Sequence, residues 1–160
     1  MGSGRATVIT VGLAGDTMLG RGVAERLAHD PSQRLLSDGV LATAREADLF
    51  VLNLECCISE RGHPWSRPGK PFFFRAPPAA VHTLRELGVD CVTLANNHAL
   101  DFGEEALEDT LRHLDAAGIA HVGAGLDARA ARMPVTLLWQ GFRLGVVEGD
   151  QEEQAEVVPQ

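Results

Sequence analysis

Asp16, Glu55 and the pair Asn97-His98 each stand where an apolar run stops, after residues 7–14, 49–54 and 90–95. Carboxylate and amide oxygens suit hard divalent cations, and an imidazole adds affinity for transition ions. The stretch 92–103 is the densest of the three, with two amides, a histidine and Asp101 crowded behind an apolar run. Each residue also has a plainer use. Asp16 could cap the following helix, Glu55 could be a solvated loop residue, Asn96 could sit in a left-handed turn, and Asp101 could cap a helix beginning at Gly103. Their recurrence at three successive strand ends favours a site, because ligands in open α/β sheets bind outside the carboxyl ends of the strands.

The elements that must position these groups follow from periodicity and punctuation. Residues 7–14 (TVITVGLA) are β-branched and apolar, as expected of a central parallel strand covered on both faces. Helices are predicted over 22–28, stopped by Asp30-Pro31, and over 35–47, where Leu36, Val40, Leu41 and Ala44 share a face. Residues 49–54 form a second strand and 90–95 a third. Between them, 59–76 reads as a long structureless loop rich in Pro, Gly and basic residues, and Pro77-Pro78 opens a helix to Leu87. The clearest helix spans 103–117, with acids in its first turn and Gly118 after it. A short strand at 119–123, a brief helix at 127–132 and a hairpin of 135–139 with 142–147 complete the order. Strands alternating with helices predict one α/β layered domain over 1–148 with a largely parallel sheet. Residues 149–160 read as a solvated acidic tail.

Other residues bear on the site less directly. Arg21, Lys70 and Arg75 could bind a phosphate or carboxylate beside the sheet edge, with a solvated loop an equal alternative. Gly123-Ala124-Gly125 could let backbone donors approach a ligand. His29, His82, His113, His121 and His63 suit ordinary helix, strand or loop positions. Cys56 and Cys57 are adjacent, Cys91 opens an apolar run, and no CxxC spacing offers thiolate zinc. The net charge of -8 argues against general binding to nucleic acid or to anionic membranes. No apolar run approaches the length of a membrane helix, and no signal peptide or anchor is visible, so the expected location is cytoplasmic.

Five segments together resemble a known family: Gly15-Asp16-Thr17-Met18-Leu19-Gly20-Arg21, Asn53-Leu54-Glu55, Phe74-Arg75-Ala76-Pro77, the run ANNHALDFG from Ala95 to Gly103, and the run from Ala117 to Gly125. In order and spacing they are similar to the motifs of CapA-type capsule and poly-γ-glutamate synthesis proteins, relatives of the calcineurin-like metallophosphoesterases. The resemblance runs from about residue 8 to about residue 147.

It implies an αββα metallophosphatase-like sandwich. Carried over by position, Asp16, Glu55 and Asn97 become metal ligands and His98 a general acid, while Asp101 would orient His98 or close the turn. The implied metal is Mn or Mg, with Fe or Zn as alternatives. Two departures accompany the match. Methionine occupies position 18, where the superfamily usually has a histidine, as in other CapA-type sequences. The late histidine motifs of the longer family members have no counterpart here, so the expectation is an incomplete, N-terminal half of the fold. The expected function is capsule or poly-γ-glutamate synthesis with weak or absent hydrolysis; the alternative is a non-catalytic truncated remnant binding a polymer or partner. Expected partners are an anionic polymer or a phosphate-containing small molecule, and a second copy through an exposed sheet edge. Family relatives are often membrane-associated or extracellular.

Overall fold

The structure, a computed structural model, describes residues 8–65 and 69–147. In chain order it contains β1 (Val11–Thr17), α1 (Arg21–His29), α2 (Asp38–Ala44), β2 (Leu49–Leu54), β3 (Cys57–Ile58), β4 (Arg75–Ala76), α3 (Ala80–Leu87), β5 (Cys91–Thr93), α4 (Glu104–Ala117), β6 (Ala120–Val122), α5 (Ala128–Ala131), β7 (Val135–Trp139) and β8 (Phe142–Val146). The main sheet has the order β1-β2-β5-β6 with every pairing parallel. This is the α/β arrangement with a parallel sheet that the alternation of strands and helices predicts. The acidic tail at 149–160 lies outside the described residues.

Strand alternation divides the sheet into two faces. Leu52 and Leu54 of β2 and Val92 of β5 pack with Leu27, Leu84, Leu107 and Leu114 from α1, α3 and α4. Leu49, Val51 and Cys91 pack the other way, against Leu137 and the partly buried Val135 and Leu144 of the β7–β8 hairpin. Each fully buried leucine contributes about 1.5–3 kcal/mol, so the helix face holds most of the core. Asn53 and Thr93 continue the Leu49–Val51 and Cys91 series. They therefore belong to the hairpin face, at the carboxyl end of their strands.

Several expectations are corrected. β1 runs from Val11 to Thr17 instead of over 7–14, so Asp16 lies inside the strand and not in a turn after it. Among the described residues β1 pairs with β2 alone, and Leu13 is 78% exposed; it is an edge strand, not a central one. Its register also shifts. Ala14 is opposite Leu52 and Asp16 opposite Asn53, leaving Gly15 as an extra residue. A bulge of this kind reverses the alternation, turning Asp16 to the face of Asn53. Helix α2 is shorter than predicted because Ser37 caps it, its side chain accepting from Val40 N. Helix α3 starts at Ala80, since Pro77 to Ala79 form a tighter turn with i to i+3 bonds.

The long loop is not structureless. Its last two residues form β4, which pairs in parallel with β3 just before the loop, two residues a side and too short to show a period. Gly118, with φ 72, provides the left-handed close of α4 as expected. Gly125 serves packing instead of ligand approach: a Cβ there would meet Ala131 N at 2.5 Å, so its role is to admit α5.

Candidate functional site

Strand β2 places Asn53 between the two carboxylates. Its Nδ2 donates to Asp16 Oδ1 at 2.9 Å and to Glu55 Oε1 at 2.6 Å. Its Oδ1 accepts from Thr93 Oγ1 at 3.1 Å and from Asn96 Nδ2 at 2.9 Å. Asn96 is 5% exposed, and its Nδ2 also donates to the carbonyl of Leu54. Its Oδ1 accepts from the backbone N–H of His98 at 3.0 Å. Asn96 is thus a buried link and not a left-handed turn residue; among the described non-glycine residues only Arg21 and Gln140 have positive φ.

His98 stands at the other side of this network. Its Nδ1 lies 2.7 Å from Asp101 Oδ2, and its Nε2 lies 3.8 Å from Glu55 Oε2. With Asp101 accepting, the ring proton belongs on Nδ1, which leaves Nε2 directed to the carboxylate side. The Phe74 ring covers the imidazole at 4.2 Å between centroids. Asp101 is fully buried and does not cap α4, whose N-cap Gly103 receives no side-chain bond. Instead it gathers the long loop. Phe74 N donates to its Oδ2, Trp65 N donates to its backbone oxygen, and the Lys70 ammonium lies 2.5 Å from Oδ1. That last contact is an ion pair without regular hydrogen-bond geometry. Asp16 does not cap α1 either, because Gly20 occupies that position.

The three basic residues have separate fates. Lys70 is engaged by Asp101 and by the carbonyl of Asn97. Arg75 lies over the Phe102 ring at 4.1 Å and donates to the carbonyls of Arg61 and Gly62. Arg21 is exposed, with φ 52, and its guanidinium lies 4.8 and 4.9 Å from the rings of Phe72 and Phe74. Among the described residues it has no carboxylate partner. It is therefore the cation at this edge best placed to meet an anion.

Asp16, Glu55 and His98 are brought together around Asn53. Asn97 is exposed, and no hydrogen bond of its side chain joins it to them among the described residues. No three His, Cys, Asp or Glu side chains form a metal-holding group among those residues. The donor set that fits a hard cation is the convergent pair of carboxylates, with open space on the Asp16 side. Thiolates are not donors here. Burial pushes the thiols of Cys56 and Cys57 up to about 12 and that of Cys91 to about 11.

A second charged cluster lies away from this edge. Asp109, nearly buried, accepts from Arg61 Nε and Nη2, from Arg112 and from Ser59. The Arg61 guanidinium above all holds its carboxyl well below the usual range. This cluster ties the start of the long loop to α4. Sequence reasoning missed it, and also missed Asn53. The available signal for Asn53 was a polar residue at a strand position that alternation assigns to the face of Leu49 and Val51.

A parallel sheet whose carboxyl edge gathers Asp16, Glu55 and a carboxylate-backed histidine defines a metallophosphatase-like α/β protein. The chain belongs to the family described as bacterial capsule synthesis protein PGA_cap, whose model matches residues 10–159. That match continues past the last of the recognised motifs. A probable polyglutamine synthesis accessory protein of Mycobacterium tuberculosis is 33% identical over 190 residues, covering 99% of this chain and 49% of the relative. The capsule biosynthesis protein CapA of Bacillus anthracis is 27% identical over 73% of this chain. The PGA biosynthesis protein CapA of Bacillus subtilis is 24% identical over 81% of it. The chain spans about half the length of the mycobacterial relative and less of the two from Bacillus. Among the described residues no helix is long and apolar enough to cross a membrane.

Proposed function

We propose that this chain carries a divalent-cation site serving the synthesis of an anionic capsule-type polymer, with weak or absent hydrolysis of phosphoester-like bonds. The observation that carries the reading is the convergence of Asp16 and Glu55 on one amide nitrogen, with His98 Nε2 beside Glu55. Asp16 and Glu55 would hold the cation, Mn²⁺ or Mg²⁺ before Fe or Zn, and the family resemblance adds Asn97. A divalent cation held there would lower the pKa of its bound water and offset developing negative charge. His98, its Nδ1–H held by Asp101, would turn Nε2 toward the ligand, and as an imidazolium with both ring nitrogens protonated it would give the Nε2 proton to a departing oxygen. Arg21 is positioned to receive an anionic group of the ligand, a phosphate-containing small molecule or a polymer carboxylate. Lys70 and Arg75 support the site through Asp101 and the loop carbonyls. Two carboxylates, with Asn97 exposed and unlinked to them among the described residues, would hold a cation only loosely, which is the reason to expect weak activity.

Calorimetric titration of the metal-free protein with Mn²⁺ tests this reading. Weak uptake that disappears in Asp16→Ala is expected, together with little turnover of an aryl phosphodiester. No uptake by the unaltered protein would overturn the cation site. Robust metal-dependent turnover lost in His98→Ala would overturn the assignment of weak activity.

A further inference from the structure

The amide network at the sheet edge has a fixed polarity. Leu54 C=O can only accept a hydrogen bond, and the backbone N–H of His98 can only donate one. Asn96 lies between them, so its Nδ2 must face Leu54 and its Oδ1 must face His98. The same Nδ2 reaches Asn53, which must meet it with Oδ1. Thr93 Oγ1 donates to that oxygen as well. The Asn53 amide is thereby oriented with both lone-pair directions of its oxygen used inside the protein and its Nδ2 aimed outward, at Asp16 and Glu55. A reversed amide would set its oxygen against two carboxylates and its nitrogen against the Asn96 donor.

From this we infer that Asn53 is a positioning residue, holding Asp16 and Glu55 as a convergent pair through one neutral donor whose direction is imposed by Asn96. The inference rests on the proposed cation site for its consequence, though not for its geometry. A neutral donor is suited to the task. A lysine or arginine at this point would neutralise the pair and compete with a cation, whereas an amide draws both carboxylates together and leaves their charge available. Outer hydrogen-bond partners of this kind typically alter metal affinity by about 10–100-fold. The connection to His98 through its backbone N–H also means that the carboxylate pair and the histidine loop share one rigid link.

Two measurements test it. In Asn53→Ala, Mn²⁺ affinity measured by calorimetry is expected to fall about 10–100-fold, with the fold checked by circular dichroism. In chelator-treated protein, the ¹⁵N side-chain amide signals of Asn53 are expected to move in Asp16→Asn and again, separately, in Glu55→Gln, and to stay in place in the remote surface variant Glu25→Gln. This second measurement stands if Asn53→Ala does not fold. Signals indifferent to both carboxylate substitutions, or an Asn53→Ala protein that binds Mn²⁺ as tightly as its parent, would overturn the inference. Signals that respond in a parent protein taking up no Mn²⁺ would refute the cation site and uphold the positioning role.

Discussion

Two carboxylates at this sheet edge, Asp101 and Asp16, differ sharply in surroundings. Asp101 is fully buried and receives contacts from His98 three residues before it and from Phe74 and Lys70 of the long loop. Asp16 is exposed on an edge strand, and its one side-chain hydrogen bond among the described residues comes from Asn53. A buried carboxylate must be fully satisfied, because an unpaired polar group away from water is costly. An exposed one can exchange its partner for a ligand at little cost. The histidine side of the edge is thus preorganised, while the carboxylate side is left open to bind.

The contrast predicts unequal effects on stability. Asp101→Ala strands the largely buried Lys70 ammonium and frees His98 Nδ1 and Phe74 N, at a cost of about 3–5 kcal/mol. The melting temperature should fall by on the order of 10 °C, read by differential scanning calorimetry. Asp16→Ala in chelator should stay within about 0.5 kcal/mol of the parent. Equal losses from the two substitutions would break the comparison.

Acid sharpens it through a carboxylate that is buried but remote from the site. The folded-state pKa of Asp109 is depressed, chiefly by Arg61, from the ordinary 3.8. Its contribution to stability is therefore present above pH 3.8 and is lost as pH falls below it. Denaturant unfolding should show a decline below about pH 4 that is shallower in Asp109→Asn. An identical slope in that variant would show that other carboxylates govern acid unfolding.

The smallest effect concerns the edge that bears Asp16. Strand β1 has one partner among the described residues, and Leu13 on it is 78% exposed. Unpaired strand edges invite pairing with another chain. Sedimentation should show a concentration-dependent dimer, weakened by Leu13→Lys. A monomer at all concentrations would show that the edge is self-sufficient.

Much of this fold is legible locally. Strand β2 coincides with residues 49–54, and α4 departs from its expected range by one residue, since apolar periodicity and the acidic first turn are properties of neighbouring residues. The strand-end chemistry is legible in part: Glu55 follows its apolar run directly and His98 comes three residues after 90–95, whereas Asp16 stands inside β1 instead of after it. The errors cluster where a segment's state depends on a distant partner. β1 was displaced toward the chain start, and β3 and β4 have only two residues each, so their pairing across the long loop leaves no local pattern.

The sequence by itself determined the order of the longer elements, the parallel sheet and the residue types delivered to its carboxyl edge. Only the tertiary structure decided how those residues are used. The bulge at Gly15 turns Asp16 to the face of Asn53 through pairing with a strand 37 positions away. Backbone groups of Leu54 and His98 set the direction of two amides. Lys70 and Arg75 are engaged by groups reached only through the folded loop, which leaves Arg21 open at the rim. Each outcome turns on which donor meets which acceptor across the chain, and hydrogen-bond partners are chosen by three-dimensional proximity after register and packing are established.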